Sequence, residues 1–430
     1  MLGAGLAGLA AASRLRAAGH RVRVFERAAQ VGGRAAALEL GGERIDPTAA
    51  CVGAGDASLL GLIRELELER ELLPLRPWRA VQWHRGRLVP VGAPGIRGVV
   101  RLPDVRPLDA LRLLRLPRLL RRYRRPLDPL YPERAAPLDD RSLADFGALY
   151  FGRSVVPGWI EPWLAERAPV EEGEASRAAF LLRLAAEADL QPAALRRPVG
   201  DLAEALAARL GARTACAVEG LAPRAAGGIE VALADGALEV DAAVLAVPAA
   251  EALRLAVPLL ASAERDVLGA TRYGSALVWV GEGFRLPVSQ PTRVRIARGA
   301  GTPFSVIALE PGTGGRGRIT AVAREAFARS RAAAPDDALA KDLAAEVARL
   351  LPGGCDGGSS SGALLRFPGA WPRFDVGRYR ALARLRAVQI DRRRAGRRLY
   401  LAGDYLVAPT LEGAVASGLR AAADAIADLT

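Results

Sequence analysis

Met1-Leu2-Gly3-Ala4-Gly5-Leu6-Ala7-Gly8 opens the chain, and Gly19-His20-Arg21-Val22-Arg23-Val24-Phe25-Glu26 completes the stretch that decides the fold. Gly3, Gly5 and Gly8 have the GxGxxG spacing, and each glycine has its own task. The first permits a tight turn, the second lets backbone approach a pyrophosphate, and the third lets a helix pack on a strand. The predicted helix turns Ala12 and Leu15 toward the sheet and ends at Gly19-His20. Its free N–H groups and positive dipole end seat a pyrophosphate, so Leu6 and Ala7 join the glycines as expected contacts. Residues 21–25 read as a strand that delivers Glu26 at its carboxyl end, about twenty residues after the glycines, where a carboxylate accepts both ribose hydroxyls. Arg27 follows as a further expected contact. A lone glycine motif is weak, but the whole pattern points to a dinucleotide cradle.

A second turn, Gly32-Gly33-Arg34, lies just beyond the acid and brings Gly33 and the Arg34 guanidinium toward a diphosphate. It resembles the GGR turn of flavoproteins and not the turns of nicotinamide dehydrogenases, so FAD is the expected cofactor. Arg44-Ile45-Asp46 reads as a turn re-entering the cofactor site, and Asp56 as the cap of a helix over 57–66. Residues 74–94 suit a hairpin around Gly86, with Trp78, Val81 and Trp83 on short extended runs.

The 430 residues suffice for roughly two to three domains. Cys51, Cys216 and Cys355 are too few and too dispersed for a disulfide framework, which points to a reducing compartment. With two histidines, His20 and His84, no protein-bound metal is expected. The formal charge of +13 is almost wholly arginine, and Lys341 is the single lysine. Such a surface attracts lipid, nucleic acid or acidic substrates alike, and no nucleic-acid-reading motif accompanies it. Nucleic acid is therefore not an expected partner. No apolar run has bilayer length, since residues 240–260 are interrupted by Asp241, Glu251, Arg254 and two prolines. The start lacks the basic and apolar regions of a secretory leader, so the expected location is the cytoplasm, with peripheral membrane association.

That association is expected from residues 96–137, which are dominated by leucine, arginine and proline. Arg112, Arg115, Arg118 and Arg122 recur at three or four residues, with Leu113, Leu116, Leu120 and Tyr123 on a neighbouring face. A basic amphipathic segment of this kind can lie at an anionic membrane interface, although Pro117 breaks it. The alternative is a solvated helix pair packed on a substrate domain. Residues 146–195 continue helical, with Trp159 and Trp163 reading as core.

At Pro198-Val199-Gly200-Asp201 the composition changes back. Asp201 is the expected cap of a helix with Leu202, Leu206 and Leu210 on one face, and Gly211 ends it. Residues 214–221 and 229–233 read as short strands, and 240–248 as a buried parallel strand. Residues 273–280, 293–296, 305–309 and 319–322 suit antiparallel strands of an insertion. In a helix over 337–351 the stripe Leu339, Leu343, Val347 and Leu350 leaves Lys341 on the solvated face. Leu399-Tyr400-Leu401-Ala402-Gly403-Asp404 is a buried strand ending in a glycine and an acid. Thr410-Leu411-Glu412-Gly413-Ala414-Val415 opens the last helix, whose positive end suits the anionic N1/O2 edge of a flavin. The expected fold is α/β: a Rossmann-type FAD-binding domain (1–80, 196–260 and 385–430) with a parallel sheet, and an inserted α+β substrate domain (81–195 and 261–384) whose 96–195 part is helical.

Both ends of the chain resemble the flavin-containing amine oxidase superfamily, which includes protoporphyrinogen oxidases, phytoene and squalene-type desaturases and amine oxidases. The resemblance rests on Gly3-Ala4-Gly5-Leu6-Ala7-Gly8, Glu26 and Gly32-Gly33-Arg34 at one end. At the other it rests on Ala402-Gly403-Asp404, Glu412-Gly413-Ala414 and Ser417-Gly418. It implies a backbone contact to adenine at Val218, and hydride transfer from a C–H or C–N bond to flavin N5 followed by reoxidation. Phe367-Pro368-Gly369-Ala370-Trp371-Pro372-Arg373-Phe374 with Gly377 is similar to the segment before the final flavin strand in porphyrinogen-oxidase-like members. Trp371, Phe374, Tyr379, Tyr405 and Tyr273 are the aromatics expected nearest the isoalloxazine. Such a site needs apolar walls more than a protein acid or base, and the flavin carries the hard chemistry. Amine oxidases of the superfamily commonly place a lysine near N5, and Lys341 is on the wrong element. The resemblance thus implies a small apolar or tetrapyrrole-like substrate, porphyrinogen ahead of a carotenoid or squalene precursor, with amines last. A flavin-fold binding protein without turnover is the non-enzymatic alternative.

One expectation concerns the start. A Rossmann cradle needs a buried strand of about five residues before its glycine turn, and only Met1 and Leu2 precede Gly3. The expectation is that the native chain begins several residues upstream with a Val/Ile-rich strand and that the extended form binds FAD better and is more stable; the alternative is a truncated gene that no longer binds flavin.

Overall fold

In the computed structural model the described residues are 1–48, 50–91, 102–168, 173–187, 192–225, 227–312, 316–351 and 362–430. The glycine turn leads into the helix Leu6–Ala17, which buries Leu9, Ala10, Ala11 and Ala12. Leu2 bridges in parallel to Leu245 on one side and to Phe25 on the other, and Phe25 bridges in parallel to Arg213. Ala243–Leu245 pairs in parallel with Leu399–Leu401. The parallel order is thus 399–401, 243–245, Leu2, Phe25, Arg213, with Leu2 central. Leu2 N–H donates to Val244 O at 3.0 Å and Gly3 N–H to Phe25 O at 2.8 Å. The strand expected over 21–25 has one bridging residue, Phe25.

A second sheet has seven strands in the order Ala363–Pro372, Tyr273–Arg285, Arg316–Ala323, Phe304–Pro311, Thr292–Ile296, Arg79–His84, Arg87–Pro90. The expected hairpin turns at Arg85 and Gly86, both at positive φ, which glycine adopts without strain. The strands expected antiparallel over 273–280, 293–296, 305–309 and 319–322 pair so with one another, and the one parallel pairing in this sheet among the described residues is Thr292–Ile296 with Arg79–His84 from the hairpin. Asp336–Leu350 covers this sheet through Leu339, Leu343, Val347 and Leu350, and Lys341 is solvated as expected. Residues 92–94, 96–101 and Cys355 lie outside the described residues.

In the helical lobe the α-helix is interrupted just before Pro117, as expected: Pro107–Arg112 and Leu116–Arg122 join through the tight 3-10 turn Leu113–Arg115. Leu113 and Leu116 are buried in the core, and Leu120 and Tyr123 pack against it, as the packed-helix alternative requires. Residues 146–195 are not helical throughout, since Ala193–Ala194 pairs with Arg76–Pro77. Trp159 and Trp163 do stack in the core, with ring centroids 6.4 Å apart.

Two helix caps come from afar. Asp56 does not cap Ala57–Glu65; Glu412 does, accepting from Ser58 N at 3.0 Å and Leu59 N at 2.8 Å. Asp201 does not cap Val199–Leu210; Asp46 accepts from Val199 N at 2.9 Å, and Asp201 pairs with Arg44 and Arg197. Burial, with Glu310 and Asp201 nearby, pushes the Asp46 carboxyl up to about 7 against the pull of its Val199 hydrogen bond. The folded state therefore holds this proton more tightly than the unfolded chain does. The resulting stability is fully present below the ordinary carboxyl range and is lost as pH rises from there through about 7. Across that window the loss runs at about 1.4 kcal/mol for each pH step of one. Asp46→Asn keeps an acceptor for Val199 and is expected to flatten this slope. Urea midpoints at about pH 5 and about pH 8 that fall equally in both proteins would refute the assignment.

Candidate functional site

Two cavities meet beside the parallel sheet. The first, of about 500 Å³, is lined by the expected cofactor contacts Gly3, Gly5, Leu6, Ala7, Glu26, Arg27, Gly33, Arg34, Val218, Gly403, Asp404 and Ala414. The second, of about 420 Å³, is mostly apolar, and Arg167, Trp371, Pro409 and Thr410 border both.

The glycines test whether a dinucleotide fits the first cavity. A Cβ on Gly3 would lie 2.5 Å from Ala246 O, and one on Gly8 would lie 2.1 Å from Gly3 O, so both are demanded by packing. A Cβ on Gly5 would meet nothing nearer than Gly32 O at 3.9 Å and would instead occupy the cavity. Glycine at that position leaves room for a ligand. The helix behind it has no side-chain cap and no acid in its first turn, leaving its N–H groups for an external anion. Glu26 clamps the cradle: Oε2 accepts from Ala4 N at 2.8 Å and Oε1 from Ala28 N at 2.9 Å. Each carboxylate oxygen keeps a lone pair for a ribose hydroxyl. The donor set and the open face at Gly5 fit FAD.

Arg34 is held more tightly than the sequence suggests. Its Nη2 donates to Asp404 Oδ1 at 2.7 Å, its Nη1 to Ala370 O at 3.0 Å, and its guanidinium lies 5.6 Å from the Tyr273 ring centroid. Burial alone would lower its pKa, but the Asp404 charge and hydrogen bond hold it above the ordinary value. Asp404 thereby fixes Arg34 at the cavity wall. Gly403 N–H donates to Ser417 Oγ at 2.8 Å, tying the last strand to the last helix, Leu411–Leu429. Of the C-terminal contacts expected for the cofactor, Ala414 borders the first cavity, whereas Glu412 and Gly413 border the second. Glu412 caps a helix there, and a Cβ on Gly413 would lie 2.2 Å from Ala408 O. Burial raises the Glu412 carboxyl against its hydrogen bonds from Leu59 and Ser58.

The five candidate aromatics separate. Trp371 borders both cavities, and Phe374 and Tyr379 line the second with ring centroids 5.5 Å apart. Tyr273 accepts from Ala249 N at 3.0 Å, and burial, followed by the Asp404 charge, pushes its phenol up to about 12. Tyr405 is fully buried, its hydroxyl without a hydrogen-bond partner among the described residues, and lines neither cavity.

Sequence reasoning missed Arg167. Its Nη1 donates to both oxygens of Asp56 at 2.9 and 2.8 Å, and its Nε lies 2.8 Å from Glu187 Oε1, with all three side chains almost wholly buried. Arg183 donates to the same Glu187 oxygen at 2.9 Å and lies 4.2 Å from the Trp163 ring centroid. Burial would lower the Arg167 pKa, but the two carboxylates raise it further than burial can lower it. No local pattern marks this cluster. Ala246 and Pro248, also in the cofactor wall, could have been found from their place at the carboxyl end of a parallel strand.

The family model for flavin-containing amine oxidoreductases matches residues 6–426. No match was found among curated proteins. Among solved structures, the chain is similar to a protein from Exiguobacterium sp. 255-15 provisionally named as a protoporphyrinogen oxidase, at 17% identity and TM-score 0.74, covering 99% of this chain and 98% of that one. It is similar to putrescine oxidase bound to putrescine, at 19% identity and TM-score 0.71, with 99% and 98% covered. It is also similar to cyclohexylamine oxidase from Brevibacterium oxydans IH-35A, at 17% identity and TM-score 0.72, with 100% and 98% covered.

Proposed function

The chain belongs to the flavin-containing amine oxidoreductase family and is an FAD-dependent oxidoreductase, and from that premise we propose that it dehydrogenates a compact apolar substrate of porphyrinogen type. The observation that carries this reading is the largely apolar second cavity, which reaches the cofactor cavity at Trp371. Its volume of about 420 Å³ is in the range for one small ligand and suits a ring system better than a long polyene. Lys341, the single lysine, is on a solvated helix face, so no lysine is available beside the flavin.

When bound, FAD would supply the hydride acceptor and the route for reoxidation. The chain's part is to hold and to exclude water. Gly3, Gly5 and the Leu6–Ala17 N-terminus would take the pyrophosphate, and Glu26 the ribose. Arg34, fixed by Asp404, would face the diphosphate side, and Val218 the adenine end. Trp371 and Phe374 would form the substrate wall, and Arg167 would close the junction without releasing a free charge. The reading includes peripheral contact with a membrane through the helical lobe.

A second reading, oxidation of an amine, is favoured by the acids that border the second cavity, Asp56, Asp128, Glu187, Glu325, Asp375 and Glu412, which outnumber its arginines. Anaerobic bleaching of the flavin against porphyrinogen, carotene-precursor and amine panels tests both. Bleaching by amines alone would overturn the porphyrinogen reading, and bleaching by none would favour a binding protein. Trp371→Ala and Phe374→Ala are expected to slow substrate-driven bleaching about tenfold or more while FAD stays bound. Loss of flavin from either variant would show a structural role instead.

A further inference from the structure

Around Phe374 the wall of the second cavity carries two hydroxyl groups with nothing to donate to. Tyr379 lies in the first turn of the helix Arg378–Arg394, is 3% exposed, and borders the cavity with its ring 5.5 Å from that of Phe374. Its hydroxyl has no hydrogen-bond partner among the described residues. The Tyr405 hydroxyl and the Trp163 indole nitrogen are also unpartnered, but they are sealed in protein; the Tyr379 hydroxyl keeps access to open space, and the space it borders is this cavity. Burial, followed by the Asp139 charge, holds its pKa above the ordinary value, so the phenol keeps its proton to donate. Asp139 does not accept that proton: its Oδ2 takes Arg380 N at 3.1 Å and its Oδ1 is unpartnered.

Ser176 borders the same cavity and meets Phe374 through the backbone, its N–H donating to Phe374 O at 2.9 Å. Its buried Oγ accepts from Ala178 N at 3.2 Å as the cap of Arg177–Ala186, and its own proton has no acceptor among the described residues. The arginines that border the cavity, Arg167, Arg183 and Arg373, are by contrast each paired with a carboxylate. A ligand that covers an O–H donor without offering it an acceptor forfeits the hydrogen bond that water would have made.

We infer that the Tyr379 hydroxyl, with that of Ser176, selects a substrate carrying a C=O oxygen on its apolar frame. A bare hydrocarbon would bury both donors unpaired, and an ammonium group, itself only a donor, has no lone pair to offer. A ketone and a carboxylate share the required oxygen, and the uncharged one is favoured because the acids bordering the cavity outnumber its arginines. The inference rests on the second cavity being the substrate site, and not on which ring system fills it.

The test is titration calorimetry of the flavin-loaded protein with three probes of similar shape: tetralin, 1-tetralone and tetralin-1-carboxylate. 1-Tetralone is expected to bind about tenfold more tightly than tetralin. Ser176 also caps a helix, so substitution of the phenol carries the test. Tyr379→Phe keeps the ring against Phe374 and is expected to weaken 1-tetralone about fivefold while leaving tetralin unchanged, whereas a merely structural role would move both probes together. Flavin content and melting temperature should match the parent. A clearly lower melting temperature would assign the hydroxyl to the fold beside Asp139 and overturn the inference. So would equal affinities for tetralin and 1-tetralone, or a phenylalanine variant that binds 1-tetralone as the parent does. Tightest binding of the carboxylate, lost in Tyr379→Phe, would uphold the selection for C=O and reverse the preference for its uncharged form. Binding of none of the three would overturn the reading of the cavity itself, and the inference with it.

Discussion

Glu26→Ala is expected to give protein that loses its flavin on dialysis. The substitution removes an acceptor for the ribose and also leaves Ala4 N–H and Ala28 N–H without the carboxylate they bind at 2.8 and 2.9 Å. Ala4 stands between the first two cradle glycines, so the cradle loses its shape along with its ligand contact. A charge-assisted hydrogen bond is worth about 1.5–3 kcal/mol, and two such losses together weaken flavin retention by about a hundredfold or more. Glu26→Gln keeps one acceptor oxygen but turns an NH2 toward the other backbone N–H, and should fall between the two. The ratio of flavin to protein absorbance after exhaustive dialysis reads all three. Equal ratios in parent and alanine variant would contradict the role given to Glu26.

Arg167→Met is expected to lower stability more than any other substitution named above. It strips the counterion from Asp56 and removes one of two arginines from Glu187, both buried. Removing one member of a buried ion pair costs about 3–5 kcal/mol, because the partner charge stays in a poorly solvated place. The penalty comes from the orphaned acids, so Arg167→Met combined with Asp56→Asn and Glu187→Gln should recover a large part of it. The urea midpoint of each variant tests this. A single variant as stable as the parent would mean the cluster is neutral to folding, and a triple variant no better than the single would place the loss in packing.

The cradle was legible because its parts lie within thirty-four residues and each obeys a short-range rule. Gly3 must turn, Gly8 must pack, Gly5 must stay clear, and the structure finds each of them under the constraint that its spacing implies. Period also carried the core stripes of Val199–Leu210 and Asp336–Leu350, since apolar residues at helical spacing have one stable direction to face. The same reasoning left two readings of the Leu/Arg-rich segment, a membrane face and a packed helix pair. Periodicity shows that two faces differ but not which is covered, and the lobe buries Leu113 and Leu116 while exposing Leu108, Leu111 and Leu114.

By itself, then, the sequence determined the dinucleotide turn, the acid that follows it, the parallel strand Leu399–Leu401 that precedes Gly403-Asp404 and the helix that closes the sheet. Tertiary structure alone decided which groups satisfy one another across the chain. A helix N-terminus accepts any oxygen within about 3 Å of its N–H groups, however distant in sequence. The nearest candidates, Asp56 and Asp201, were accordingly displaced by Glu412 and Asp46 once those were brought alongside. Buried charge follows the same rule: Arg34 found Asp404 from the far end of the chain, and Arg167 drew Asp56 and Glu187 from two other segments. Local pattern cannot announce such partners, because proximity that arises only when the sheets and the helical lobe close around the two cavities has no counterpart in sequence spacing.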